Sequence, residues 1–228
     1  MTLNKTKIEW CDLTWNPVTG CYHGCPYCYA RKIAERFKGS KAWQNGFTPT
    51  MHPERLNDPV NEEVPQTIFV CSMADLFGDW VPEDWILDVL STCIFAPQHT
   101  FLFLTKNPKR YLTIPSDFVR DHMWFGVSVT GNEDALRIHE LRKLHTENRF
   151  VSFEPLLSIP HGVNLKGIPQ VIIGAQTNPS VEITPDMIRP IGGELGHNAM
   201  FCKNSTPSWC VRRELMWTIH KPTERVAV

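Results

Sequence analysis

Short apolar runs recur along the chain and predict buried β-strands. They are nearly continuous in β-branched and aromatic residues instead of alternating with polar ones, which is typical of parallel strands covered on both faces. The predicted strands are 67–72, 100–105, 124–129, 149–154, 170–174 and 199–203, with an earlier one within residues 8–15.

Helical patterns separate several of these strands. Residues 82–96 open with a proline and two acidic residues and then repeat apolar side chains on one face, which predicts a helix. Weaker helical patterns cover 132–145 and 184–195, the second of them interrupted by a proline and a glycine pair. A further helix is expected to begin at or just after Cys28. The segment between the strands at 149–154 and 170–174 shows no helical pattern.

The repetition of strand, helix and strand predicts an α/β fold with a parallel sheet. Six or seven strands are too few for a closed eight-stranded barrel, so we predict a partial TIM-type barrel of the (β/α)6 kind, with a doubly wound open sheet as the alternative. No linker or repeat interrupts the chain, so residues 1–228 are expected to form a single domain. In either architecture the ligand site lies at the carboxyl ends of the strands.

Composition and charge narrow the classes of protein. The chain has 228 residues, a net charge of −1 and a hydrophobic fraction of 42%, so bulk electrostatics would not attract it to nucleic acid or to an anionic membrane. No apolar run has the length of a membrane span, and residues 1–15 lack an apolar signal core. We therefore expect a cytoplasmic protein without membrane partners. In that reducing compartment, its eight cysteines are expected to be ligands or buried thiols rather than disulfides.

Three of these cysteines follow one another at C-x3-C-x2-C spacing in the segment 20–31, "GCYHGCPYCYAR". Such spacing favours metal ligation over core packing, and two kinds of site compete. A structural zinc site needs four closed ligands, the fourth being His23, Cys11 or Cys71. An iron–sulfur cubane bound by three thiolates instead leaves one iron open to an external ligand. The three ligands are Cys21, Cys25 and Cys28.

This spacing, with an aromatic residue before the last cysteine and an early strand in a repeating β/α chain, resembles the radical S-adenosylmethionine superfamily. The phrases "TKIEW", "TWNPVTGC", "CYAR", "SMADLF", "APQHTFLFLTKNPKR", "WFGVSV" and "RFVSFEPLL" are similar to a phage-associated branch of it. The resemblance implies a partial (β/α)6 barrel and a [4Fe–4S] cluster in the loop 20–31. It also implies S-adenosylmethionine on the open iron, an external one-electron donor, and a 5′-deoxyadenosyl radical that abstracts hydrogen from a substrate.

The resemblance also suggests cofactor contacts among residues at the predicted strand ends. Ser72 and Asp75 would hold the methionine amino group, although Asp75 also suits a turn cap. Ser128 and Thr130 would hold the ribose hydroxyls, although Thr130 equally suits a loop, and Tyr27 would lie against the adenine or shield the cluster. The other candidates are Lys106, Glu154, which either points into the pocket or pairs with a residue such as Lys106, and Gln176.

The match weakens after residue 170. Where the family tends to show Gly-Gly-Glu, this chain has "GAQTN", and the neutral amide of Gln176 can form hydrogen bonds but cannot act as a base. Lys203 stands where the family usually has a lysine. Cys71 and Cys202 lie near predicted strand ends and are candidate hydrogen donors, with burial as the alternative explanation.

A basic segment follows the cysteines. With Lys106, Lys109 and Arg110 it could form a basic rim suited to phosphates, with a solvated helix face as the alternative. A nucleotide or modified DNA base is therefore the predicted substrate. The alternative function is a zinc-stabilised nucleic-acid-binding module without catalysis. The basic residues are Arg31, Lys32, Arg36, Lys38 and Lys41.

Overall fold

A computed structural model describes residues 3–40, 43–194, 199–210 and 212–219. Its strands, in chain order, are β1 (Asn4–Lys5), β2 (Leu13–Trp15), β3 (Val18–Thr19), β4 (Thr50–Met51), β5 (Thr67–Val70), β6 (Thr100–Thr105), β7 (Met123–Ser128), β8 (Arg149–Phe153), β9 (Gln170–Ile173) and β10 (Ala199–Cys202). Its α-helices are α1 (Tyr29–Arg36), α2 (Glu83–Phe95), α3 (Leu136–Leu141), α4 (Pro185–Glu194) and α5 (Met216–Ile219).

Eight of the strands form one mostly parallel sheet in the order β1-β2-β5-β6-β7-β8-β9-β10. Only β1 is antiparallel to its neighbour within this sheet. Each strand lies beside the next one along the chain, apart from β3 and β4, which pair separately in an antiparallel ribbon. The predicted α/β class and parallel sheet are thus confirmed.

The elements follow the predicted pattern closely where burial is strong. Each of the seven apolar runs overlaps a strand of the main sheet, and α2 occupies most of the predicted helix 82–96. The prediction for 132–145 was too long, because a 3₁₀ turn at Asn132–Asp134 precedes the short α3. No helix is assigned between β8 and β9, as predicted.

One face of the sheet packs against the helices. Val89 and Leu90 of α2 and Ile138 and Leu141 of α3 are fully or almost fully buried in this outer core. Alternate residues of each strand point to the opposite face, where a second cluster of large side chains is buried. Its members are Trp10, Phe69, Leu102, Trp124, Phe150, Ile172, Phe201 and Trp217.

The sheet curves around this second cluster. The Trp10 ring lies 4.7 Å from the Phe69 ring and 6.3 Å from the Phe150 ring, although β6 and β7 separate the strands that carry the two phenylalanines. In a flat sheet three strand spacings would amount to about 14 Å. Trp217 closes the cluster by donating its indole N–H to the Trp10 carbonyl at 3.1 Å. The face that holds both tryptophans is therefore concave.

The structure also bears on two expectations drawn from composition, one about disulfides and one about membrane-spanning helices. Cys202 and Cys210 form a disulfide with an S–S distance of 2.05 Å, so the expectation that all cysteines are ligands or thiols was wrong for this pair. The two cysteines lie on either side of a short turn after β10, a proximity that the compartment argument could not reveal. Across the described ranges, no helix combines the length and hydrophobicity needed to cross a bilayer.

Candidate functional site

A cavity of about 1000 Å³ opens at the carboxyl ends of the parallel strands. The side chains that follow or end successive strands line it, as the parallel arrangement predicts. The cysteine segment forms another part of the wall. The strand-end residues are Asn16, Ser72, Lys106, Ser128, Glu154, Gln176 and Lys203.

The cysteine segment is anchored at its base to the strands. The segment begins directly after β3 of the β3–β4 ribbon, and Gly20 donates its N–H to the Met73 carbonyl at 3.0 Å. Gly20 has φ +88°, and a Cβ at this position would lie 2.4 Å from the Thr48 carbonyl oxygen. Only glycine fits such a conformation and such a close approach. The Arg31 guanidinium also donates to the Cys21 carbonyl at 3.0 Å.

All three predicted ligands, Cys21, Cys25 and Cys28, are half-buried and line the cavity. The Cys28 sulfur caps α1 by accepting the N–H of Arg31 at 3.3 Å. Burial, with smaller contributions from the nearby Asp75, Cys25 and Cys28, raises the pKa of Cys21 to about 11. Metal binding must therefore release a proton from this thiol.

Three soft sulfur donors on one cavity wall suit iron in a cluster or zinc. Within the described residues, no three His, Cys, Asp or Glu side chains are grouped as a site for a metal ion. The type of donor, rather than an assembled site, is what fits the expected cluster, and the same thiols also suit zinc.

Asp75 is buried and accepts four hydrogen bonds. Its Oδ2 lies 2.7 Å from His23 Nε2 and 2.9 Å from the Lys106 backbone N, and its Oδ1 accepts from Thr105 Oγ1 at 2.6 Å and from Phe77 N at 3.1 Å. Burial raises its pKa, but the His23, Lys106 and Thr105 hydrogen bonds outweigh that effect and leave the pKa below its usual value. Asp75 thus links the cysteine segment to the ends of β5 and β6.

Asn16 and Ser72 form a second polar group at the cavity wall. Asn16 Oδ1 accepts the Ser72 hydroxyl at 3.2 Å and the Met73 N–H at 2.9 Å. The Tyr29 hydroxyl donates to the Ser72 carbonyl at 2.6 Å. Sequence reasoning placed Ser72 here but missed Asn16, which directly follows β2 and was discoverable by the same strand-end rule.

Lys106, Ser128 and Tyr27 form a third group, close to the cysteines. Lys106 Nζ donates to Ser128 Oγ at 2.7 Å and lies 5.7 Å from the centroid of the Tyr27 ring. Burial lowers the pKa of Lys106, while Cys25 acts in the opposite direction. In the part of the chain that the structure describes, no carboxylate forms an ion pair with this ammonium group. It is a cation available to an anionic ligand.

Thr130 lies next to this group, with its side chain within hydrogen-bond reach of Tyr27. Its backbone N–H and its hydroxyl both donate to Asp134 Oδ2, at 2.9 and 2.7 Å, and it is not among the residues that line the cavity. The assignment of Thr130 to a ribose hydroxyl therefore stays a prediction.

Glu154 and Lys203 form an ion pair at the ends of β8 and β10. The predicted alternative partner, Lys106, binds Ser128 instead. The second Glu154 oxygen, Oε2, accepts the Trp10 indole N–H at 3.4 Å. Gln176 also lines the cavity, with its amide donating to the Pro179 carbonyl at 2.8 Å.

The two cysteines considered as hydrogen donors do not line the cavity. Cys202 is the residue before Lys203 and points to the opposite face of β10, where its sulfur is bonded to Cys210 and carries no hydrogen. Cys71 is buried in the outer core, at the residue directly after β5, where φ is +58°. Burial raises its pKa to about 12. The structure contradicts the hydrogen-donor assignment for both.

The basic residues divide into two groups. Arg31 turns inward and lies over the Phe47 ring, 4.9 Å from its centroid. Lys32, Arg36 and Lys38 are exposed, and Lys32 lines the mouth of the cavity. Lys41 lies outside the described residues.

Residues 5–209 match a protein family described as "Protein of unknown function (DUF5131)". A search of curated proteins gives no match. Among solved structures, spore photoproduct lyase shares the fold. A mutant of that enzyme is 10% identical with a TM-score of 0.59, and the match covers 88% of this chain and 79% of the lyase.

Two ligand-bound forms of the same enzyme also match. The lyase complexed with dinucleoside spore photoproduct is 9% identical with a TM-score of 0.51, and the match covers 86% of this chain. A double mutant with bound AdoMet (S-adenosylmethionine) and the dinucleoside is 10% identical with the same TM-score and the same coverage. This chain spans only 64% of the length of these two structures.

Proposed function

The chain belongs to the DUF5131 family, and from the chemistry of its cavity we propose that it is a radical S-adenosylmethionine enzyme. The observation that carries the proposal is that Cys21, Cys25 and Cys28 all line one cavity at the strand ends, in a fold similar to a lyase whose structure holds AdoMet. The curved parallel sheet supports the finer assignment as a partial (β/α)6-like barrel in a single domain.

The three thiolates would hold a [4Fe–4S] cluster and leave one iron for the cofactor. When bound and reduced by an external donor, the cluster would supply the electron that cleaves S-adenosylmethionine to methionine and a 5′-deoxyadenosyl radical. The role of the protein is to position the groups and to exclude water.

The residues around the cysteines suit the polar groups of the cofactor. Lys106, which has no carboxylate partner among the described residues, would bind the methionine carboxylate. Ser72 would accept from the amino group, and Ser128 would bind a ribose hydroxyl. Asp75 would act as a positioning residue, because its hydrogen bonds fix His23 of the cysteine segment against the backbone of Lys106.

A nucleotide or DNA base is the proposed substrate. Lys32, Arg36 and Lys38 lie exposed on or just after α1, and Lys32 also lines the cavity. These basic residues would contact the phosphates of such a substrate. The bound dinucleoside in the similar lyase structures supports the same substrate class.

Anaerobic reconstitution with iron and sulfide tests this proposal. The wild-type protein should turn brown and, with dithionite and S-adenosylmethionine, yield 5′-deoxyadenosine. Cys25→Ala should lose the absorbance of the cluster and this product. Cys11→Ser is the control and should retain both, because Cys11 does not line the cavity that the other three cysteines share. A colourless wild-type protein that holds stoichiometric zinc would refute the enzyme and favour the zinc-stabilised nucleic-acid-binding module.

A further inference from the structure

The Glu154–Lys203 pair spans three strands at the end of the sheet. Glu154 follows β8 and Lys203 follows β10, with Gly174 after β9 between them. A Cβ on Gly174 would lie 3.0 Å from Lys203 Cδ and 3.1 Å from Glu154 Cγ. The missing side chain is therefore what allows the carboxylate and the ammonium group to meet over the middle strand.

This pair faces the cavity rather than the protein interior. The Glu154 and Lys203 side chains remain 27% and 17% exposed, and both line the cavity. Their charges cancel, so this wall does not attract a phosphate as a lone lysine would. It presents a hydrogen-bond acceptor and a donor side by side, and a ligand that matches it must carry a donor next to an acceptor.

Ser152 supplies an independent sign of a missing ligand atom. It lies on β8 beside Ser128 of β7 in the strand register, is fully buried, and lines the cavity. Among the described residues its hydroxyl has no hydrogen-bond partner. A buried hydroxyl without a partner is unfavourable, and a polar ligand atom in the cavity would relieve that cost.

The surface next to these polar groups is apolar. Trp10, Phe69 and Leu104 line the same cavity, and the Trp10 indole is bonded to the Glu154 carboxylate. A flat ring with a polar edge fits a pocket that combines an aromatic floor with a polar wall.

We propose that Glu154, Lys203 and Ser152 form a subsite that recognises the edge of a nucleobase bearing an N–H donor next to an acceptor. A ring or exocyclic N–H of the base donates to Glu154, and the neighbouring carbonyl or ring nitrogen accepts from Lys203. This inference rests on the proposed function and extends it, because it assigns the β8–β10 wall to a base. Thymine, uracil and guanine in a substrate offer this edge, and so does the adenine of S-adenosylmethionine.

Calorimetric titration of the full-length protein with two pairs of probes tests the subsite. The first pair is a thymidine dinucleotide and its N3-methylated analogue, and the second is adenosine and N6,N6-dimethyladenosine. Each methylated probe lacks the N–H donor. At least one parent probe should bind about tenfold or more tightly than its methylated analogue, since a hydrogen bond to a charged group contributes that much. A difference within the thymidine pair identifies the substrate as the source of the base. A difference within the adenosine pair identifies the cofactor.

Variants of Glu154 and Lys203 test whether these residues cause the preference for the unmethylated probe. Glu154→Gln and Lys203→Met should each weaken the discriminating parent probe about ten- to a hundredfold, whereas the methylated probe should bind unchanged. Gly174→Ala should also weaken binding of the parent probe, because the added methyl group displaces Glu154 and Lys203 without altering any charge. Glu140→Gln and Lys143→Met are the matched controls, since they remove an ion pair on the outer surface, and they should bind as the wild type does.

Equal binding of parent and methylated probes by the wild-type protein, in both pairs, would overturn the subsite whether or not any variant folds. Unchanged binding in variants that keep the wild-type melting temperature would overturn it as well. The titrations contain neither iron nor reductant. Loss of base discrimination is therefore distinguishable from failure to assemble a cluster, which would refute the proposed function instead.

Discussion

The residues at the strand ends show which features of a site can be predicted from the pattern of strands and which cannot. The positions of Lys106, Ser128, Glu154 and Lys203 were correctly expected at the cavity, because a side chain that ends a parallel strand has few other places to point. Their pairing was not predicted. Glu154 binds Lys203 rather than Lys106 because the pairing depends on the curvature of the sheet and on the missing side chain at Gly174, which no local pattern encodes.

The His99 side chain forms hydrogen bonds with backbone groups that lie more than 30 residues away in the sequence. It is fully buried, its Nδ1 accepts the Gln66 N–H at 3.1 Å, and its Nε2 lies 2.9 Å from the Pro59 carbonyl oxygen. Nδ1 must be unprotonated to accept, so the neutral tautomer donates from Nε2. Burial lowers the pKa of His99 below its usual value, although the Pro59 hydrogen bond raises it.

This neutral imidazole predicts a loss of stability in mild acid. Below about pH 6.5 the unfolded chain takes up a proton that folded His99 does not, so the free energy of unfolding falls as the pH drops. His99→Gln should lower this free energy by about 1–3 kcal/mol at pH 7.5, through lost buried hydrogen bonds. It should also reduce the slope between pH 7 and pH 5.

Urea unfolding at several pH values measures both effects. Some slope should remain in His99→Gln, because burial also lowers the pKa of His52 and His122. His139→Gln, at an exposed position of α3, is the control. An unchanged slope in His99→Gln would contradict the assignment of a neutral buried imidazole.

At the scale of elements, apolar runs predicted strands well and helices less well. A strand buried on both faces needs little beyond a continuous apolar run. The helix α4 contains Pro190, yet it continues from Pro185 to Glu194. The burial of Met187, Ile188 and Ile191 compensates for the hydrogen bond that a proline removes. Tertiary packing therefore extended a helix that the local sequence appeared to break.

The stability of the cysteine segment depends much more on Gly20 than on Gly24. Gly20 has φ +88° and its missing Cβ would strike the Thr48 carbonyl, whereas Gly24 has φ +69° and no heavy atom within 4 Å of its Cβ position. Gly24→Ala should lower the free energy of unfolding by about 1–2 kcal/mol, the usual cost of a left-handed alanine.

Gly20→Ala should lower the free energy of unfolding by about 3 kcal/mol or more, because backbone atoms that cannot move away add a steric cost to the same strain. Chemical denaturation of the two variants side by side gives the difference. Equal losses would show that the base of the segment can shift and that the contact with Thr48 does not hold it in place.

At the scale of the whole molecule, the concave aromatic cluster determines the curvature. The sequence predicted the strands that carry Phe69 and Phe150 but not their convergence on one ring, because Trp10 and Trp217 reach the cluster from opposite ends of the described chain. Contacts between residues so far apart in the sequence produce no local periodic pattern from which they could be predicted. The disulfide between Cys202 and Cys210 is likewise a tertiary contact that composition argued against.

Removing Trp217 should therefore affect the entire sheet. It is almost completely buried and packs against Trp10, Trp124 and Phe150, with ring centroids 5.4–6.4 Å away. Trp217→Ala should lower the free energy of unfolding by about 3–5 kcal/mol. Trp209→Ala, at a position that is 47% exposed, should change it by less than about 1 kcal/mol. Urea denaturation compares the two, and similar losses would contradict a central role for Trp217.

The position of Trp217 along the chain has a consequence for synthesis. It follows all the strands of the sheet, and its partner Trp10 precedes all but β1. A ribosome therefore releases every strand of the concave face before the residue that seals it. Until then the rings of that face stay exposed to water and to other nascent chains. Folding of this protein should consequently be completed late, after translation has passed the last strand, and chaperones that shield aromatic surfaces should bind it longest in that interval.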